Sequence, residues 1–181
     1  MSGDAKAGGP DHTTLPGRGK LDMANSEIVE GLKRCELFAS LGEQEVKGLA
    51  SSLGGACQVE SYKAGDTICA QGEHKTRLYV VIEGQVLLHR TIYLGDRTAT
   101  MPVAILGKGR AMGWTALLYG PRYVTASAVC QKPSRVISVE GMTLRSALEK
   151  EPNVGFRVME RLACMLGDRL RAAYSAAEAH L

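Results

Sequence analysis

The sequence predicts a mainly β fold, namely a double-stranded β-helix (a jelly-roll-like β-roll) with N-terminal helices before it and a long C-terminal helix after it. Three observations predict this fold. Apolar and polar residues alternate in short segments between residues 56 and 139. Turns rich in glycine separate these segments roughly every 8–12 residues, which is typical of a barrel or jelly roll. Helical periodicity occurs on both sides of this region.

Composition is that of an ordinary globular domain. The chain has 181 residues, of which 45% are hydrophobic and 23% charged, so a core is expected without metals or disulfides. The net charge of +3 comes from scattered lysines and arginines, which argues against a nucleic-acid-binding block. The five cysteines form no Cys-x-x-Cys pair, and no apolar run approaches the roughly 18 residues of a membrane span. We therefore expect a soluble, reduced, cytoplasmic protein.

The chain divides into three predicted parts. Residues 1–25 are rich in glycine and proline and have few bulky apolar side chains, so we expect a disordered tail. Residues 26–151 are expected to form the β-roll with its flanking helices. Residues 152–181 are expected to form a C-terminal helix that dimerises or binds a partner.

Two helices and a run of strands are predicted before the C-terminal part. The first helix covers 27–35, with Ser26 placed to cap it, and the second covers 43–53 and ends at a pair of glycines. About eight strands follow, the clearest at 57–61, 67–70, 78–82, 85–94, 99–106, 123–130 and 135–139.

Helical periodicity returns after Gly141. One helix is predicted over 142–150 and a longer one from about 154 to 177. The apolar seam of the longer helix consists of Met159, Leu162, Leu166, Leu170 and Ala173. This seam either packs on the roll or forms a dimer contact, and different stretches of one helix can do both.

Several short motifs occur in a fixed order along the chain. They lie at 37–41 (Leu-Phe-x-x-Leu), 63–66 (Lys-Ala-Gly-Asp), 71–72 (Gln-Gly), 78–86 (Leu-Tyr-x-Val, then Gly-x-Val) and 106–113 (Leu-x-x-Gly, then Met-Gly). Each motif is weak alone, but their order and spacing resemble the cyclic-nucleotide-binding domain of catabolite-activator-type regulators over roughly residues 28–172. The resemblance implies the same β-roll and a regulatory role.

The segments 113–117 (Gly-Trp-Thr-Ala-Leu) and 124–128 (Val-Thr-Ala-Ser-Ala) resemble the phosphate cassette of that family. The family pattern is Gly-Glu-x-Ala-Leu, followed by Arg-Thr-Ala-Ser or Arg-Ser-Ala. Its glutamate accepts a hydrogen bond from the ribose and its arginine neutralises the cyclic phosphate. Trp114 and Val124 stand at these two positions, and losing both contacts weakens binding by roughly 3–6 kcal/mol. We therefore expect a changed ligand or none.

The resemblance places a candidate ligand site at Gly113, Trp114, Thr115, Ala116, Arg122, Thr125 and Ala126. Arg122 either faces the pocket from a strand or lies in a solvent-facing loop. Trp114 either stacks on a planar ligand or fills the space that a ligand would occupy. The Thr125 hydroxyl either bonds an anion or belongs to an ordinary strand residue. At Arg169, where the best-known bacterial member contacts the base, the arginine either contributes charge to a ligand or is a solvated helical arginine, and the sequence favours the second.

Other function classes lack the residues they require. The four histidines are isolated, and no metal, nucleophile or phosphate-loop motif occurs, so we expect no enzymatic activity. The chain ends at Leu181 without a helix-turn-helix pattern, so we expect no DNA binding of its own. Two hypotheses remain. The chain is either a sensor of a cyclic nucleotide or another small anion, with no other cofactor, or a ligand-free scaffold that binds its own copy or another protein through the C-terminal helix.

Overall fold

The computed structural model describes residues 18–120 and 123–178, which form a β-roll covered on one side by helices from both ends of the chain. The helices are α1 (Arg18–Lys33), α2 (Glu43–Leu53), α3 (Gly141–Lys150) and α4 (Pro152–Glu178). The strands are β1 (Cys57–Tyr62), β2 (Thr67–Cys69), β3 (Arg77–Glu83), β4 (Val86–Leu94), β5 (Arg97–Leu106), β6 (Ala111–Met112), β7 (Ser127–Cys130) and β8 (Ser134–Glu140). The predicted fold class is confirmed.

The strands form two four-stranded antiparallel sheets, with the orders β1-β8-β3-β6 and β2-β7-β4-β5. The first strand of the roll pairs with the last, from Cys57 opposite Val139 to Tyr62 opposite Ser134. In the second sheet a register shift at Leu88 bends the long β4-β5 ribbon. The pairing of β1 with β8 closes the roll and brings its two ends together. Helix α3 follows directly after β8.

The first sheet is buried on both faces, and strand β3 shows why. Leu78 and Val80 belong to a helix-side core that α1, α2, α3 and α4 share with this sheet. Tyr79 and Val81 belong to an inter-sheet core between the two sheets. Alternate residues of a strand point to opposite faces, so the nearly continuous apolar run of β3 follows from its central position.

Helix α4 divides the predicted apolar seam between two faces. Leu162 is buried in the helix-side core together with Val158 and Met165. Met159 and Leu170 are 38% and 51% exposed on an adjacent face. The predicted seam is therefore not one buried stripe, because Leu162 packs in the core while Met159 and Leu170 stay partly exposed.

Two predicted boundaries are wrong. Helix α1 begins at Arg18, so residues 18–25 are helical rather than part of a disordered tail, and Ser26 lies inside the helix instead of capping it. No glycine or proline lies between Lys20 and Glu30, and a helix that has formed extends at little cost. The remainder of the predicted tail, residues 1–17, lies outside the described residues.

The strand predicted over 123–130 is also shorter, because only Ser127–Cys130 is a strand. Tyr123 forms an isolated bridge with His74 instead. Strand β6 was not predicted, since two residues are too few to show alternation.

Candidate functional site

A cavity of about 310 Å³ lies between the second sheet, the turn after β6, the segment before β7 and helix α4. Its lining is mostly apolar and consists of Cys69, Leu88, Arg90, Met101, Val103, Met112, Gly113, Trp114, Thr115, Val124, Thr125, Ala126, Leu166, Arg169, Leu170 and Ala173. Among the predicted site residues, Gly113, Trp114, Thr115, Thr125 and Ala126 meet here, and Arg122 lies outside the described residues.

The turn after β6 requires a glycine at its start. Gly113 has a φ of 76°, and a Cβ at this position would lie 2.6 Å from the carbonyl oxygen of Arg77. A short 3-10 turn follows over Trp114–Leu117, in which the Ala116 N–H donates to the Gly113 carbonyl at 3.0 Å. Trp114 and Thr115 are the first residues of this turn, and the first N–H groups of a helical turn have no partner within it, so they can donate to an acceptor.

Ala116 does not line the cavity. It is buried on the opposite side of the turn, where a Cβ added at Gly141 would lie 2.2 Å from its carbonyl oxygen. The absence of a side chain at Gly141 therefore lets the first turn of α3 rest directly on the 3-10 turn. Ala116 positions the turn against α3, and its predicted contact with a ligand stays a prediction.

Trp114 is half-buried and does not fill the site. It lines the cavity and packs against the helix-side core. The cavity remains open beside the indole. Of the two predicted roles, stacking on a ligand and filling the space of a ligand, the open cavity favours the first. The indole stays in a position where a ligand would change its environment.

The segment that precedes β7 is held by backbone hydrogen bonds to the turn after β2. The Val124 N–H donates to the Glu73 carbonyl at 2.9 Å, and the Val124 carbonyl accepts from the Gly72 N–H at 2.8 Å. The Val124 side chain is buried in the inter-sheet core. Thr125 is exposed at the cavity and makes no hydrogen bond to a described residue. Because this segment is not a strand, strand alternation does not place Arg122.

Two arginines line the cavity. Sequence reasoning missed Arg90, and for Arg169 it favoured a solvated side chain over a contribution of charge to a ligand. Arg90 lies on β4 opposite Met101, is exposed, and makes no ion pair within residues 18–120 and 123–178. Its spacing of two residues from the buried Leu88 was a signal that both side chains share one face. Arg169 lies on α4 with its side chain only 12% exposed, so the expectation of a solvated arginine is wrong. Its spacing of seven from Leu162 was the corresponding signal.

Arg169 joins α4 to the roll. Its Nη2 donates to Glu36 Oε1 at 3.1 Å and to the Ala111 carbonyl at 2.5 Å. Glu36 also accepts from the Ala111 N–H at 2.8 Å and pairs with Arg110 at 3.1 Å. Arg169 Nε is buried and has no acceptor among the described residues.

The charge of Arg169 is incompletely compensated. Burial lowers the pKa of its guanidinium below the ordinary value, although the neighbouring Glu36 carboxylate opposes the change. Arg110 lowers this pKa further, because two guanidinium groups share one carboxylate. The site therefore holds excess positive charge where α4 meets the cavity.

A two-sheet roll that encloses a small cavity beneath a C-terminal helix is the architecture of a regulatory ligand-binding domain. The family model of the cyclic nucleotide-binding domain matches residues 59–151, and the chain belongs to this family.

The chain is similar to transcriptional regulators along most of its length. It is 29% identical over 143 residues to a CRP-like cAMP-activated global transcriptional regulator of Mycobacterium tuberculosis, covering 78% of this chain and 58% of the regulator. The catabolite activator protein of Thermus thermophilus has 31% identity and a TM-score of 0.60, with 79% of this chain and 62% of that chain covered. A cyclic nucleotide-binding domain from Methylobacillus flagellatus shares the fold, with a TM-score of 0.69, 22% identity and coverage of 87% and 84%. The chain spans 10% to 60% of the length of the curated relatives it matches.

The described part of the chain has neither a cluster of metal ligands nor a membrane-spanning helix. No group of three or more histidine, cysteine, aspartate or glutamate side chains is arranged to hold a metal ion. None of the described helices is both long and apolar enough to cross a membrane.

Cys35, Cys57, Cys69 and Cys130 are buried free thiols, and burial raises the pKa of Cys57 and Cys69 to about 11. These thiols are therefore unreactive near neutral pH.

Proposed function

We propose that this chain is a sensor of a small anionic ligand, either a cyclic nucleotide or an altered anion, and that it signals through its C-terminal helix. The observation that carries this proposal is the open cavity at the cassette, which α4 covers and where arginine charge meets an apolar lining. Membership of the cyclic nucleotide-binding domain family supports a regulatory, non-enzymatic role. The buried free thiols suit a reducing, cytoplasmic setting.

Two contacts provide a route from the cavity to the helices. The cassette turn rests on Gly141 at the start of α3, so displacement of the turn also displaces α3. Helix α4 contributes Leu166, Arg169 and Leu170 to the cavity wall. A ligand that binds one arrangement of these helices more tightly than another shifts their equilibrium by that difference in affinity.

The predicted contacts have distinct roles in this proposal. The Trp114 and Thr115 N–H groups and the Thr125 hydroxyl donate to the anion, and Trp114 packs on the body of the ligand. Arg122 stays a prediction as an additional cation. The output is a changed contact of α4 with a second copy of the chain or with another protein.

A second candidate function, a ligand-free interaction scaffold, is favoured by one observation. Helix α4 exposes large apolar side chains, with Phe156 70% and Tyr174 59% exposed. Such residues serve a binding partner whether or not the cavity takes a ligand.

Trp114 is the only tryptophan in the chain, and its fluorescence tests the sensor directly. Titration with cyclic AMP, cyclic GMP, other nucleotides and organic anions should give a saturable change in emission for at least one compound. Thermal unfolding in the presence of that compound should shift upward, because binding only the folded state stabilises it.

Thr125→Val should weaken that binding about tenfold, the worth of one hydrogen bond to an anion. Thr98→Val, at an exposed threonine of β5 outside the cavity lining, is the matched control and should leave affinity unchanged. Emission and unfolding temperature that respond to none of these compounds would refute the sensor and leave the scaffold.

A further inference from the structure

The cavity holds positive charge at positions other than that of the family's cassette arginine, which is Val124 in this chain. Arg90 stands at its exposed edge and Arg169 at its buried edge. No aspartate or glutamate lines it within the described part of the chain, and Glu36, which pairs with Arg169 from outside the lining, is shared with Arg110. Such a site attracts an anion.

Arg169 retains unused hydrogen-bonding capacity. Its contacts with Glu36 and the Ala111 carbonyl both come from Nη2, whereas the buried Nε has no acceptor among the described residues. A buried guanidinium nitrogen without an acceptor is unfavourable, and an oxygen of a bound anion would relieve this.

The rest of the lining suits an apolar molecular body. Leu88, Met101, Val103, Met112 and Leu170 supply aliphatic surface, and the only side-chain hydroxyls are those of Thr115 and Thr125. The glutamate that would accept from a ribose is replaced by Trp114. Each sugar hydroxyl buried here without a partner would weaken binding by roughly tenfold.

We propose that Arg169 and Arg90 are the anion-binding residues of this cavity, and that its ligand is an amphipathic organic anion with an apolar body rather than a sugar phosphate. This inference rests on the proposed ligand-sensing function and names its ligand class. Because Arg169 also holds α4 to Glu36, the anion competes with Glu36 for the same guanidinium and so acts on the contact between α4 and the roll.

Two dyes of matched shape test the ligand class in the full chain. Anilinonaphthalene sulfonate carries an anionic group, and phenylnaphthylamine has the same apolar body without it. The anionic dye should bind with higher affinity than the neutral dye and than cyclic AMP, with energy transfer from Trp114 reporting occupancy of the cavity.

Variants then test the arginines. Arg169→Met should weaken binding of the anionic dye roughly tenfold to a hundredfold, the range of a charge-assisted hydrogen bond, and leave the neutral dye unchanged. Arg90→Met should cause a smaller loss, because Arg90 is exposed. Arg171→Met is the matched control, since Arg171 is an exposed arginine of the same helix that pairs with Asp168 and does not line the cavity.

Glu36→Gln tests the competition without removing the arginine. It keeps an acceptor for the Ala111 N–H but removes the charge that holds Arg169, so affinity for the anionic dye should rise severalfold. A purely structural role of Arg169 predicts no such gain, and this variant keeps the proposal testable if Arg169→Met does not fold.

The outcomes separate this inference from the proposed function. Equal loss of both dyes in Arg169→Met, or no loss of either, overturns the role of Arg169. Saturable binding of cyclic AMP at Trp114 that is tighter than that of the anionic dye and insensitive to Arg169→Met overturns the ligand class but supports the sensor. No saturable signal from either dye or from cyclic AMP overturns both.

Discussion

At the residue scale, position 113 shows how the backbone selects an amino acid. Gly113 combines a positive φ with a carbonyl oxygen close to where a Cβ would be. Gly95 also has a positive φ, but a Cβ there would meet nothing within 4 Å. The two glycines therefore separate the cost of backbone conformation from the cost of a steric clash.

Gly113→Ala should lower the free energy of unfolding by about 3 kcal/mol, since strain in φ and a clash with backbone add together. Gly95→Ala should lose only about 1 kcal/mol, from conformation alone. Unfolding in urea, monitored by circular dichroism, measures the free energy of unfolding of both variants. Equal losses would mean that the 3-10 turn moves away from Arg77 without cost.

The exchange of charged cassette residues for Trp114 and Val124 has a different meaning at each position. Val124 is buried in the inter-sheet core, so it contributes to stability in the usual way. Trp114 remains partly accessible at the cavity, so it still bears on the choice of ligand. Both side chains line the cavity, but only that of Val124 is also buried in the inter-sheet core.

At the scale of elements, the start of α3 depends on one carboxylate. Glu140 accepts hydrogen bonds from the Thr143 N–H at 2.6 Å and from the Thr143 hydroxyl at 2.8 Å. Partial burial alone would raise the pKa of Glu140, but these hydrogen bonds outweigh it and hold the pKa below its ordinary value of 4.5. The cap is therefore at full strength only when the carboxylate is ionised.

The lowered pKa gives the pH dependence a definite sign. Stabilisation by Glu140 is present above about pH 4.5 and is lost as the pH falls through the lower folded-state pKa. Glu140→Ala should cost about 1 kcal/mol near neutral pH, the usual value of a helix cap. Glu140→Gln should flatten the fall in unfolding temperature between about pH 5 and pH 3, as followed by circular dichroism.

Glu160→Gln is the control for this experiment, because Glu160 is exposed on α4 and makes no hydrogen bond or ion pair with a described residue. Its profile should match that of the native chain. A Glu140→Gln profile as steep as the native one would show that other carboxylates set the acid sensitivity.

At the scale of the whole molecule, α4 has two apolar faces and the roll covers only one. The uncovered face consists of Phe156, Met159, Ala163 and Tyr174. These residues are spaced by three, four and eleven positions, which keeps them on one stripe of the helix and is typical of helix pairing. We infer that this stripe is where a second copy of the chain binds.

Phe156→Glu should weaken self-association by at least about tenfold, because an apolar side chain is lost and like charges approach each other in a symmetric dimer. Sedimentation equilibrium over a range of concentrations measures this constant. Gln58→Glu places the same charge on an exposed residue of β1 and should have no effect. A native chain that stays monomeric at high concentration would assign the stripe to a different partner.

Much of the fold could be predicted from sequence because it depends on local signals. Alternation in β3, the glycines of the turns and the periodicity of α2 are set by steric limits on the backbone and by the side to which each residue points. These signals predicted α2 over the observed range Glu43–Leu53. They failed at residues 18–25, where α1 extends into a segment that the glycine-rich and proline-rich composition of residues 1–25 had assigned to the tail.

By itself the sequence determined the β-roll, the location of the cassette at Gly113 and the loss of its two charged contacts. Only the tertiary structure decided that Ala116 supports α3, that the cavity stays open beside Trp114, and that Arg90 and Arg169 bring charge to it. The physical reason is that burial depends on which face of a strand or helix packs against which neighbour. Arg169 lies 133 residues from Glu36 in the chain, and folding alone brings them to 3.1 Å.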